Sequence, residues 1–142
     1  MPNNKNADTD LRTMIADYME KGFLENIIDM FKHDNTLYAL IGELIQDERI
    51  RVRIGITALM EELKNQDAGN LSKAVPNILP LLDLKNPMLQ GDAANLLGII
   101  GDKSAIPFLE KALSDENQDV RLLSKEAIEE INAPHRKNRG AS

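Results

Sequence analysis

The stretch AVPNILPLL, Ala74–Leu82, returns 31 residues later as AIPFLEKAL, Ala105–Leu113. Alanine, proline and the large apolar positions coincide: Ala74 with Ala105, Val75 with Ile106, Pro76 with Pro107, Ile78 with Leu109, and Leu82 with Leu113. The same offset carries Val120, Arg121, Ala127, Ile128 and Ile131 back onto Leu89, Gln90, Leu96, Leu97 and Ile100. A further step of 37 residues reaches Val52, Arg53, Leu59, Met60 and Leu63, and the six extra residues fall in NQDAGN, Asn65–Asn70. Self-similarity at such a period marks a unit that cannot bury its apolar face alone and must lean on copies of itself.

The unit is a pair of amphipathic helices. In Lys103–Asn132, Ala105, Ile106, Leu109, Ala112 and Leu113 share one helical face. After a joint at Ser114–Asn117, Val120, Ser124, Ala127, Ile128 and Ile131 share another. Upstream, the same periodicity predicts helices over about Asp8–Glu20, Phe23–Lys32, Thr36–Gln46, Glu48–Lys64, Leu71–Leu84 and Pro87–Ile100. Gly22 and Gly101 serve as stops, and Asp34–Thr36 and Asn86-Pro87 as starts. NQDAGN reads as an open loop, and Pro80 as a kink in the middle of its helix. The Leu11–Lys32 pair supplies a degenerate terminal unit. The expected division is a disordered N-terminus at 1–7, a repeat domain at 8–132, and a disordered basic tail at 133–142.

At this point a resemblance is clear. The AIPFL opening of Ala105–Leu109, the Asp119-Val120-Arg121 step and the Gly101-Asp102 turn are similar to HEAT-like repeats of the short bacterial and archaeal type, the kind also found in phycobilisome-lyase-like proteins. The resemblance implies an all-α αα-superhelix, a right-handed solenoid of about four helical hairpins whose second helices line a concave, protein-binding side. The Leu89-Gln90 pair departs from the Val-Arg of its neighbours, so the ladder of Asp and Arg along such stacks is expected to be interrupted.

Chemistry is scarce in the sequence. There is no cysteine, which removes disulfides, thiolate zinc sites and thiol nucleophiles. Only His33 and His135 offer imidazole, in a helix end and in the tail, so no general base or zinc site of familiar type is expected. Glu61-Glu62, Asp115-Glu116 and Glu129-Glu130 are neighbours in sequence, and neighbours on a helix diverge, so they read as solvated faces rather than acid pairs. Asp47, Asp83 and Asp115 read as caps, and Gly98 with Gly101 as helix-end chemistry rather than a phosphate cradle. Arg49, Arg51 and Arg53 are expected to bridge internally to Asp47, Glu48, Glu61 and Glu62. The chain is therefore read as no enzyme, with no cofactor and no metal.

Charge narrows the partners. The 142 residues hold 17 bases against 23 acids, and three of the bases, Arg136, Lys137 and Arg139, crowd into the tail. The rest of the surface repels a polyanion, which argues against nucleic acid. The N-terminus has no apolar core of a secretory signal, and no run approaches the roughly 18 apolar residues of a membrane span, so a cytoplasmic location is expected. What remains is surface. On the second helices the positions pointing away from the core include Glu62, Gly91, Asp92, Asn95, Ile99, Lys125, Glu126 and Glu129. Ile99 is the notable one, an apolar residue where the neighbouring units hold Glu62 and Glu130. The expected function is a protein–protein interaction scaffold, monomeric or weakly self-associating, whose partner carries basic patches. Two alternatives stand beside it: an accessory factor to an enzyme handling a tetrapyrrole (bilin or haem), implied by the resemblance alone, and nucleic-acid binding through the tail.

Overall fold

The computed structural model describes residues 4–133, with side chains from residue 10 onward. Met1–Asn3 and the tail Pro134–Ser142, with His135, lie outside the described residues. Eight α-helices form four hairpins: α1 Asn4–Glu20 with α2 Leu24–His33, α3 Ile41–Leu44 with α4 Ile50–Gln66, α5 Val75–Ile78 with α6 Pro87–Ile100, and α7 Ile106–Ala112 with α8 Gln118–Asn132. The helix α1 starts at Asn4, so Asn4–Ala7, expected to lack structure, belong to it.

First and second helices differ in kind. The second helices α4, α6 and α8 are regular, and α6 and α8 carry side-chain caps at their N-termini. Asn86 accepts from the amides of Met88 and Leu89 ahead of α6, and Asn117 from those of Asp119 and Val120 ahead of α8. Gly101 closes α6 in the left-handed region at φ 78°, where a side chain would be strained. The first helices α3, α5 and α7 are short and entered through tighter 3-10 turns: Asn35–Leu40 leads into α3, Ala68–Ala74 into α5, and Lys103–Ala105 into α7. Pro80 does more than kink its helix. It sits at the start of a separate 3-10 stretch, Leu79–Asp83, because its ring removes an amide donor and clashes with the preceding turn.

The NQDAGN stretch is not an open loop. Asn65 and Gln66 finish α4, Asp67 makes the turn, and Ala68–Asn70 already belong to the following 3-10 helix. Asp67 accepts a 2.8 Å hydrogen bond from the hydroxyl of Tyr38, which is buried edge-on against Phe31 at 5.2 Å. Burial, reinforced by that carboxylate, pushes the Tyr38 hydroxyl well above the ordinary phenol range. The turn is thus tied into the core by one polar bond, which no local signal in NQDAGN announces.

Two layers result. The first-helix layer closes tightly: a Cβ on Gly42, in α3, would lie 2.1 Å from the carbonyl oxygen of Asn77 in α5. The second-helix layer runs α4, α6, α8 side by side, with α6 in the middle and buried on most sides. The first hairpin caps one end. Met19 of α1 covers Gly55 of α4, and Lys32 of α2 donates to Gln66 at 3.0 Å. At the other end α8 exposes Arg121 and Lys125 where α6 buries the corresponding Gln90 and Ala94, so its outer edge is polar.

Replacing Gly42 by Ala should destabilise the fold by about 2–3 kcal/mol, because the obstructing atom is backbone and cannot swing aside. Tyr38→Phe should cost about 1–2 kcal/mol by removing the bond to Asp67. Urea unfolding of the purified variants checks both.

Candidate protein-binding face

The repeat register fixes which residues of the second helices face outward. Counting from α4, the offsets of 37 and 31 align Ile54 with Gly91 and Leu122, Ala58 with Asn95 and Glu126, and Glu61 with Gly98 and Glu129. These rows lie opposite the core positions Val52, Ile56, Leu59 and Leu63 of α4. In two of the three rows the middle helix supplies glycine. A groove therefore opens along α6 between its larger-faced neighbours.

Close packing deepens it. A Cβ on Gly98 would sit 3.2 Å from the Cα of Ala127, so α6 and α8 meet almost backbone to backbone at that level. Two turns earlier on α6, Leu123 leans over Gly91, where a Cβ would come within 2.8 Å of its Cδ1. Between these contacts lies a cleft of about 330 Å³. Its floor is Asn95, Gly98 and Ile99 of α6. The α4 wall is Glu61 and Lys64; the α8 wall is Leu123, Glu126, Ala127 and Glu130.

Of the eight residues singled out from the sequence, the structure brings Asn95, Ile99 and Glu126 together in this cleft. Ile99 is half-buried and packs partly against the core while keeping one side on the cleft floor. The others stand elsewhere. Gly91 is buried beneath Leu123 rather than open to a partner, and its glycine is explained by that contact. Asp92 is engaged by Arg53 at 2.8 Å, a bond between α4 and α6. Glu62 accepts from Gln66 within α4, outside the cleft. Lys125 and Glu129 are exposed on α8, also outside it. Gly98, expected at a helix end, lies within α6 and acts through close approach. Glu61, Lys64, Leu123 and Glu130 were not anticipated; the two glycines of α6, set against large residues in neighbouring units, are the signal that points to them.

The arginine cluster is internal, though with different partners from those expected. Arg49 bridges Asp47 at 2.9 Å and Asp17 of α1 at 3.0 Å, while Arg51 approaches Glu20 at 4.0 Å. Only Asp47 of the four expected acids takes part. Gln90, at the position of Arg53, donates to the Leu82 carbonyl and to Asp115 at 2.9 Å. Arg121 donates to the Asp115 carbonyl at 2.7 Å. The three aligned positions are thus all spent on holding the stack. His33 lies against its own helix, with Nδ1 2.7 Å from the Asp29 carbonyl. Among the described residues no group of three or more His, Asp or Glu is arranged to hold a metal ion, and no helix is long and apolar enough to cross a membrane.

Electrostatics separates structural acids from cleft acids. The side-chain bond from Arg49 holds Asp47 below the ordinary carboxylate range, the Ser104 amide does the same for Asp102, and the Asn117 amide for Asp115. Depressed folded-state values mean stability that is complete above the ordinary value of 3.8 and lost as pH falls through the lowered ones. The acids of α8 contrast with these. Glu126, Glu129 and Glu130 lie three and four residues apart near a helix C-terminus with no base in its last turn. None makes an ion pair among the described residues. Acids there oppose both the helix dipole and one another. The fold alone gives no reason for them.

Four stacked helical hairpins with one continuous row of second helices define an αα-repeat protein of the solenoid class. A family model described as HEAT repeats matches residues 29–129, and the chain belongs to that family. Comparison with curated proteins returned no match.

Acid titration of stability should show a fall setting in below about pH 4–5, as the capping aspartates take up protons. Glu130→Lys should raise stability by about 0.3–1 kcal/mol by complementing the end of α8. Thermal melts against pH and against the variant check both.

Proposed function

We propose that this chain is a non-enzymatic protein-interaction module that receives its partner on the row α4, α6, α8, at the cleft around Asn95 and Ile99. HEAT repeats generally mediate protein–protein interaction, and in such arrays the second helices form the concave side. The observation that carries the reading is the cleft itself: an open groove with a half-buried isoleucine in its floor and charged walls. An apolar anchor point rimmed by polar groups is the usual form of a protein-binding hot spot. The walls add α8 acids that weaken their own helix, a local inconsistency of the sort that functional sites retain.

Neither alternative gains support from the site. No histidine or methionine lines the cleft to meet a tetrapyrrole, and its walls carry three glutamates against one lysine, a surface that repels a nucleic-acid backbone.

The test is an affinity pull-down with wild type and the double variant Asn95→Arg, Ile99→Arg, their folds matched by circular dichroism. A substitution on the opposite layer, Glu110→Lys in α7, serves as control. Partners recovered by wild type and by the control should be missing from the double variant. Identical recoveries from all three would remove the cleft from the function.

A further inference from the structure

Resting on that reading of the α4–α6–α8 row, we infer that its occupant is a basic amphipathic helix of another protein, seated with its apolar side chains over the N-terminal halves of α4 and α8 and its lysines or arginines over the C-terminal halves. The outward face is divided in two. On α4, Ile50 and Ile54 are 66% and 64% exposed one turn apart, and Leu122 on α8, in repeat register with Ile54, is 52% exposed. Further along come Glu61, two turns on from Ile54 on α4, and the acids Glu126 and Glu129, one and two turns on from Leu122 on α8. The step from Ile54 to Glu61 and from Leu122 to Glu129 is seven residues in both helices, about 10 Å along the axis. On α4 and on α8 alike, exposed apolar residues thus precede acidic ones, with Asn95 and Ile99 of α6 between the two helices.

Each group excludes a different set of occupants. Isoleucines this exposed, one turn apart, add little to the packing of the stack, whose core positions lie on the opposite side of α4. The acidic group selects for positive charge. A second copy of this chain docked symmetrically on the same face would set acids against acids. The occupant's backbone is also constrained. The face is built from helices whose amides and carbonyls are satisfied internally, and Asn95 is the one uncharged polar side chain on the cleft floor. An extended segment buried there would leave most of its own backbone groups without partners. A helix brings its backbone already satisfied, and presents apolar and basic residues about seven apart on one face, matching the spacing of the two groups.

The test is fluorescence anisotropy with the full chain and a synthetic 18-residue helix-forming peptide bearing leucines on one half of a face and lysines on the other. A second peptide has the lysines replaced by glutamates. The lysine peptide should bind, and the glutamate peptide should not. Ile54→Ser with Leu122→Ser, and separately Glu126→Lys with Glu130→Lys, should each weaken binding about tenfold or more, as loss of an interface anchor or of paired charge does. Glu110→Lys should leave it unchanged, and raising salt should weaken it. Equal affinity for both peptides would overturn the inference. So would equal losses from Glu110→Lys and from the face variants, which would mean general attraction to an acidic surface. Binding that appears only after deletion of Pro134–Ser142 would assign the face to the chain's own tail instead. If no form binds the peptide while the pull-down still depends on Asn95 and Ile99, the docking face stands and this partner chemistry falls.

Discussion

The approach of α6 to α8 is the constraint on which most of this structure depends. With Gly98 against Ala127 and Gly91 beneath Leu123, the two helices sit closer than larger side chains would permit. That closeness buries α6 on nearly every side, so the middle hairpin exists only as part of a stack. It also removes bulk from the centre of the outward face, so the packing that stabilises the row is what hollows it. Packing and cleft meet at Gly98, which touches Ala127 and also lines the cleft floor.

Polar ties then fix the register of the row. Arg53 reaches across to Asp92, Gln90 to the turn at Asp115, and Arg121 to that turn's carbonyl. Arg49 fastens α4 to α1 through Asp17. A repeat stack whose helices slid by one residue would rotate every outward side chain by about 100°. These bonds hold Ile54 level with Leu122, and Glu61 level with Glu129. The common level of these residues on α4 and α8 is therefore a property of the locked stack.

The acids of α8 illustrate how the two layers divide labour. Asp47, Asp102 and Asp115 sit at turns, receive amide or guanidinium hydrogen bonds, and stabilise the charged form. Among the described residues Glu126, Glu129 and Glu130 receive none of these, and they stand against their own helix dipole. The two groups of acids therefore differ in what they do for the fold: the turn acids hold it together, and the α8 acids add charge to its outward face.

Much of the architecture was written locally. The 31-residue offset between Ala74–Leu82 and Ala105–Leu113 already required stacked helical hairpins, and the helix starts at Asn86 and Asp102 could be read directly, because periodicity and end signals act over a few neighbouring residues. The cap on α8, however, is Asn117 and not the expected Asp115. The outward positions of α6 were legible too, and with them Asn95 and Ile99. What sequence could not decide depended on atoms far apart in the chain. Asp67 became a turn anchored on Tyr38, Asp92 was claimed by Arg53, and Gly91 was covered by Leu123, each through a partner about 30 to 40 residues away. Sequence determined that these helices must stack, since none can bury its stripe alone. Only the tertiary structure decided how closely, and that distance determines whether a small residue in the middle of a row is a buried contact or the floor of a cleft.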